Sequence, residues 1–377
     1  MSDRQPVVVS CIELHHIRLP YVHPFETSFR RETHRESILV AVRGGDLIGW
    51  GECVAGSGPW YSAETMGTAL HVMAGYLVPR LLEAGAVAAH DCERLFAPVR
   101  GHPMAKAALE NAVWDLEAQQ AGHSLQAALG GRGDRVAVGV SQGIEPSISE
   151  LLDRVAAWID EGYARVKLKI KPGWDVEPVA AVRDRWPDLA LQVDANSAYV
   201  PEDTASLKEL DHFGLLLIEQ PFHHDDIVDH AALQAEMRTP ICLDESIHSP
   251  LHAGWALKIR ACRNMNIKVG RVGGLSAALR IHDMCREAGV PVWCGGMLET
   301  NVGRAANLAL ASLPNFTLPG DISASRRYYH EDVALPDFEL NADSTVSVPQ
   351  APGLGVAVDR ARLAAATLHA ETFRTRN

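Results

Sequence analysis

Five charged residues recur at near-equal spacing through the middle of the chain. They are Lys169, Asp194, Glu219, Asp244 and Lys268, at intervals of 25, 25, 25 and 24 residues. Each closes or follows a short β-type run: RVKLKI (165–170), LALQVD (189–194), LLLIE (215–219), ICLDE (241–245) and NMNIK (264–268). An ionised carboxylate only accepts hydrogen bonds. Three brought together without Cys or His suit a hard cation, Mg2+ or Mn2+, rather than Zn2+. Lys167 and Lys169 are two apart and share a strand face. Two ammonium groups that close repel, which lowers the pKa of one or both. To act as a base near neutrality, Lys169 must fall from about 10.4, which asks roughly 3–4 kcal/mol of its neighbours. Arg271, three residues past Lys268, is expected to depress that lysine in the same way. A substrate carboxylate on the cation, between the two lysines, would expose both faces of its α-carbon to proton transfer.

The elements that must position these groups follow from the period. Strand, then helical pattern, repeated every 25 residues, predicts βα units closing into a parallel barrel. Eight runs qualify: the five above, VAVGVS (136–141), VPVWCG (290–295) and NFTLPGD (315–321). One charge then stands at the C-terminal end of successive strands, the face where such barrels keep their active sites. Lys169 on the second strand and Lys268 on the sixth face each other across the mouth. Upstream, 7–19, 36–44 and 47–54 read as an antiparallel meander with a Gly44-Gly45-Asp46 hairpin. Residues 62–121 read as helical. In AKAALENAVWDLEAQQAG, one apolar face holds Ala105, Leu109, Ala112, Val113 and Leu116, with Gly122 as C-cap. GGRGD at 130–134 breaks the chain before the barrel, and PGLGVAVD (352–359) is expected to return to the first domain as a strand.

At 377 residues and 47% hydrophobic, the chain can bury a large core in two domains. Its net charge is −12 and it has no basic block, which argues against nucleic-acid or anionic-membrane partners. Seven scattered cysteines without a CxxC pair read as reduced thiols of a cytoplasmic protein. The polar start MSDRQ is no signal peptide, and no apolar run reaches membrane-spanning length. The expected partners are a small-molecule carboxylate and further copies of the same chain, as a homo-oligomer.

The motifs KLKIKPGWD (167–175), VDANSAY (193–199), IEQP (218–221), CLDES (242–246), NIKVGRVGG (266–274), PVWCGGMLET (291–300) and LPGD (318–321) occur in order. With AKAALENAVWDL (105–116) and PFETSF (24–29), they make the chain resemble the muconate-lactonising subgroup of the enolase superfamily. Within it, the resemblance is to the N-succinylamino acid racemase / o-succinylbenzoate synthase family. Such sites pair a Lys or His base with one or two Mg2+ ions that stabilise an ene-diolate. The implied fold class is α/β, a modified TIM barrel of (β/α)7β type with an α+β capping domain. The expected division is a cap at 1–131, a barrel at 132–326, and a segment at 327–377 returning to the cap. The resemblance implies Asp194, Glu219 and Asp244 as metal ligands and Lys169 and Lys268 as acid/base residues. Lys167 would touch the substrate carboxylate and Asn196 would support the metal's surroundings and the substrate. Ser141 and the Gly296–Met297 backbone would line the distal pocket. From the cap would come Phe25, Thr27, Ser28 and the Gly-rich stretch at 55–60. Two activities are implied: racemisation of N-succinyl amino acids by two-base proton transfer, and dehydration to o-succinylbenzoate, a menaquinone step, with Lys169 as base. Asp321-Ile322-Ser323 lacks the second Asp that dipeptide epimerases carry there, which argues against a free ammonium. The Glu-containing segment usual in muconate cycloisomerases is also missing, so lactonisation is the weaker reading, and a non-catalytic metabolite-binding barrel is weaker still. Val269 stands where many relatives have proline.

Overall fold

The computed structural model describes residues 5–26 and 31–375. The cap is an antiparallel sheet of β1 (Cys11–Glu26), β2 (Arg31–Gly44) and β3 (Leu47–Cys53). The expected hairpin joins β2 to β3, with Gly45 at φ +58°, a region that favours glycine. Gly49 and Gly51 on β3 lack side chains for a steric reason. A Cβ on either would overlap the carbonyls of Ala112 and Ala108, so the Pro103–Gln120 helix lies directly on the strand backbone.

That helix corrects the expectation of a single apolar face. Glu110, Asn111, Asp115 and Glu117 are buried along with the apolar residues, because the cap sheet covers one side and the barrel another. The polar side chains are used as struts. Glu110 accepts from the Ser276 N–H at 3.0 Å, Asp115 from Trp50 and Leu354 N–H at 2.7 Å each, and Glu117 from Ala89 N–H at 2.7 Å. The helix stops at Gly122, φ +69°, with the His123 N–H on Ala118 O, a Schellman-type end.

Seven parallel strands follow in spatial order: β4 (Val140–Gln142), β5 (Arg165–Lys169), β6 (Ala190–Asp194), β7 (Ile218–Glu219), β8 (Ile241–Leu243), β9 (Asn264–Ile267) and β10 (Val292–Cys294). Helices run between most of them, the longest being Ile148–Asp160 and Leu275–Glu287. The eighth run, 315–321, closes the barrel by isolated bonds rather than as a strand. Gly320 N–H reaches Ala137 O, Gly139 N–H reaches Gly320 O and Asp321 N–H reaches Cys294 O. Pro319 supplies no N–H to a ladder, which accounts for the interruption. The curled parallel sheet plus cap bears out the expected α/β barrel. Leu217, Cys242, Trp293 and Leu318 form an apolar layer of their own.

Two expected strands shift. Of 136–141, Arg135–Ala137 pairs instead with Thr345–Ser347, and the barrel strand begins at Val140. The segment 352–359 does return to the first domain, with Gly353 bonded to His123 and Leu125 and Leu354 to Asp115, but its short strand Ala357–Val358 pairs with Ala334–Leu335. The fourth strand of the cap sheet is not this segment. It is β11 (Thr367–Arg374), which pairs antiparallel with β1. Among the described residues, no helix is long and apolar enough to cross a membrane.

Candidate active site

Register brings the periodic charges together. Lys169 is the Cα partner of Asp194, and Asp194 that of Glu219. Glu219 is paired with Cys242, so Asp244 stands two residues further along its strand end. Equal spacing therefore puts the first three on one level, and barrel stagger lifts the fourth. All three carboxylates are essentially inaccessible: Asp194 is 1% exposed, Glu219 and Asp244 0%.

Lysines clamp them. Lys167 Nζ donates to Asp194 Oδ2 at 3.2 Å and Glu219 Oε2 at 2.9 Å, and pairs with Asp321 Oδ2 at 2.6 Å. Lys169 Nζ donates to Asp194 Oδ2 at 2.6 Å and to Asn196 Oδ1 at 2.7 Å. On the other side, Lys268 Nζ donates to Asp244 Oδ2 at 2.7 Å and to the Tyr61 hydroxyl at 3.2 Å. Arg271 pairs with Asp244 as well. Asn266 Nδ2 holds the second oxygen of Glu219 at 2.7 Å. Asn196, at φ +44°, spans two groups: its N–H donates to Asp194 Oδ1 and its Nδ2 to Glu245 Oε1, both at 2.9 Å.

The electrostatics differ from the expectation that neighbouring cations depress a lysine. Burial works against the charged form of Lys268, but Tyr61 and the carboxylates of Glu245, Glu219 and Asp194 outweigh it and hold its pKa well above the ordinary range. Lys167 is raised likewise: burial opposes the charge, and Asp321, Glu219 and Asp194 more than compensate. Asp194 is lowered; burial opposes this, and Lys169 and Lys167 prevail. Glu219 is raised by burial and by Asp194. The oxygen-only donor set fits a hard divalent cation. So does the buried Glu245 Oε2, which has no hydrogen-bond partner beside it. With two positive charges among these acids, the lysines would lose the counter-charges that now raise them.

Above the lysines opens a pocket between barrel and cap. Lys167, Lys169, Lys268, Ser141, Asn196 and the Gly296–Met297 turn border it, and the cap contributes Phe25, Gly56, Gly58 and Trp60. Thus the barrel residues singled out from sequence meet in one place. Thr27 and Ser28 lie outside the described residues. Three residues at the site were given no role from sequence. Tyr61 stacks its ring 4.8 Å from Lys268 Nζ; it follows the Gly-rich stretch and carried no periodic signal. Glu245 lies inside the CLDES motif, next to a proposed ligand, and its adjacency was the available clue. Arg327 lines the pocket from beyond the barrel's last segment, where the 25-residue period has ended.

Two family models cover most of the chain: the mandelate racemase / muconate lactonizing enzyme N-terminal domain over residues 12–130, and the enolase C-terminal domain-like model over 150–362. The chain is a member of the enolase superfamily. Among curated superfamily relatives, an N-succinylamino acid racemase from Amycolatopsis sp is 52% identical over 350 residues, 93% of this chain and 95% of the relative. An o-succinylbenzoate synthase from Geobacillus stearothermophilus is 49% identical over 366 residues, 97% of each. A solved enolase superfamily member from Listeria innocua superposes with a TM-score of 0.94 at 41% identity, covering 98% of this chain and all of the other.

Proposed function

We propose that this superfamily member racemises N-succinyl amino acids by divalent-cation-assisted proton transfer at the α-carbon. The observation that carries the reading is the opposed lysine pair. Lys169 and Lys268 sit on strands four apart and hydrogen-bond the two outer carboxylates of a buried trio, at 2.6 and 2.7 Å. Asp194, Glu219 and Asp244 would hold Mg2+ or Mn2+. Bound there, the cation supplies positive charge beside the substrate carboxylate, where negative charge builds as the α-proton leaves. Lys167 offers its ammonium to that carboxylate, and Asn196 fixes Lys169 against Asp194. One lysine removes the α-proton from its face and the other returns a proton on the opposite face. A positioned acid or base of this kind is worth about 10²–10⁴ in rate. The cap closes over the N-acyl group and keeps water from the reacting carbon.

A second reading, dehydration to o-succinylbenzoate, is favoured by the Geobacillus relative, whose identity to this chain is nearly as high as that of the racemase. It needs one base, Lys169, with Lys268 as a charge stabiliser. Seven unpaired, buried thiols suit a cytoplasmic location for either activity.

The test is solvent exchange in D2O with Mg2+ and each enantiomer of an N-succinyl amino acid. Lys169→Ala should lose racemisation by at least about 10³-fold yet still exchange the α-hydrogen of one enantiomer. Lys268→Ala should exchange the other. Equal exchange of both enantiomers by both variants would refute the opposed pair. Turnover of the dehydration substrate, offered side by side, decides which reaction dominates.

A further inference from the structure

Outside the pocket, a second group of metal-binding side chains meets on the rim of the barrel. His223, His224 and Asp225 follow one another on the loop after β7, and all three are exposed. One ligand atom from each lies within 4.8 Å of those from the other two. A fourth group arrives from the loop after β8: His248 Nε2 meets Asp225 Oδ1 at 3.2 Å. The other oxygen of Asp225 meets His224 Nε2 at 3.5 Å. The His223 and His224 ring centroids are 4.0 Å apart. His223 Nδ1 accepts from the Asp225 N–H at 3.3 Å, so that nitrogen carries the lone pair a metal would take.

Exposed histidines on a free loop would call for no explanation. This loop is held from beneath. Asp226 N–H donates to His223 O at 2.9 Å, closing a turn with His224 and Asp225 at its corners. Gln220, fully buried, donates from Nε2 to His223 O at 3.2 Å and to Ser246 Oγ at 2.6 Å. Its Oε1 accepts from the Asp244 and Ser246 N–H groups, and Ser246 Oγ donates to Asp226 O at 2.6 Å. The Asp226 carboxylate meets buried His230 at 2.6 Å and takes the N–H groups of Val228, Asp229 and His230, at the start of the Val228–Glu236 helix. The residues on either side of the trio are therefore pinned, and the two loops are already tied together. A support of this kind reduces the entropy lost when the side chains gather on an ion.

The donor chemistry selects the ion. Imidazoles with one carboxylate suit Zn2+ and similar transition metals, whereas the active-site carboxylates, with oxygen donors only, suit a hard cation. Zn–N bonds of about 2.0–2.1 Å set neighbouring ligand atoms about 3.3 Å apart. Rotation of exposed side chains closes the remaining gap.

We infer that His223, His224 and Asp225, with His248 as the fourth ligand, form a second metal site that takes Zn2+. An ion there clips the loop after Glu219 to the loop after Asp244, on the outer rim of the barrel mouth. The site is independent of which reaction the pocket performs.

Equilibrium dialysis of the full chain against ZnCl2 in excess MgCl2 is the test. Wild type should take up one equivalent of Zn2+ that Mg2+ does not displace. His223→Gln/His224→Gln should bind it at least about 100-fold more weakly, and His248→Gln about 10-fold, both variants keeping the fold by circular dichroism. Glu219→Gln, which alters the active-site carboxylates, should keep the uptake. X-ray absorption at the zinc edge gives a second readout. The bound ion should show imidazole scattering, which ligation by the active-site carboxylates would not produce. Absence of uptake by wild type would overturn the site. So would uptake that survives in the double variant, uptake lost in Glu219→Gln, or a zinc spectrum with oxygen neighbours alone.

Discussion

Replacing Glu52 by Gln should change how stability depends on pH. Glu52 ends near the close of β3 and is 3% exposed. Its carboxylate accepts from the Thr300 N–H at 3.0 Å, the Thr300 hydroxyl at 2.7 Å and the Gly303 N–H at 3.1 Å, at the start of the Asn301–Ala311 helix. It is a strut from cap to barrel. Burial pushes its pKa from an ordinary 4.5 up to about 7; the Thr300 bonds oppose this, and Glu299 and Asp332 add to it. A raised acid contributes stability that is fully present below the unfolded pKa, near 4.5, and is lost as pH rises through 7. The difference, 7 − 4.5, at about 1.36 kcal/mol per pH unit, is a loss of about 3 kcal/mol, complete above about pH 8. Gln keeps the volume and cannot ionise. Relieving Glu299 and Asp332 of a neighbouring charge acts in the same direction. Equilibrium urea unfolding of both proteins from pH 4.5 to 8.5, at constant ionic strength, isolates the effect. Stability of Glu52→Gln relative to wild type should rise by about 3 kcal/mol across that range. A difference that stays flat within about 1 kcal/mol would show that Glu52 ionises normally in the folded protein.

Two further outcomes follow from the same structure. Gly274 holds φ +125°, and a Cβ there would overlap the buried Glu110 carboxylate, so Gly274→Ala should lower the urea midpoint by the equivalent of about 3 kcal/mol or more. Gly289→Ala, at φ +68° with open space around it, is the control and should cost about 1 kcal/mol. Excess chelator should abolish α-proton exchange and Mg2+ or Mn2+ should restore it. Asp194→Asn, Glu219→Gln and Asp244→Asn should each keep the fold by circular dichroism while losing most of that rescue; full exchange in chelator would remove the cation from the mechanism.

The parts legible in sequence were those with a period. Lys169, Asp194 and Glu219 sit at one level of the sheet because βα units of constant length return the chain to the same height. That regularity is visible in the spacing of 25 residues. The stagger of Asp244 was not visible, since it depends on strand tilt in the closed barrel. The all-round burial of the Pro103–Gln120 helix was misread for a related reason. Its Glu110, Asp115 and Glu117 are polar in sequence and buried in the fold, because each finds a backbone N–H on another element. Likewise the return strand Thr367–Arg374 has largely exposed side chains, so alternation of apolar residues could not mark it.

The two relatives carry different names at nearly equal identity, 52% and 49%. Both reactions remove a proton beside a carboxylate, and one buried trio between two lysines suffices for either. What separates them must therefore act on the remainder of the substrate. On the proposed function, that remainder would meet the parts of the pocket wall outside the periodic strand ends: Gly56, Gly58, Trp60 and Tyr61 of the cap, the Gly296–Met297 turn, and Arg327 beyond the barrel's last segment. Tyr61 connects cap and barrel here, since its hydroxyl meets Lys268 and its chain neighbour Trp60 lines the pocket. A tail that shifts Trp60 is thereby coupled to the orientation of Lys268. Racemisation needs that lysine to transfer a proton and is sensitive to its aim. Dehydration asks only for its charge and tolerates displacement. Changes at Trp60 should therefore depress racemisation more than dehydration, and equal depression of both rates would break the coupling.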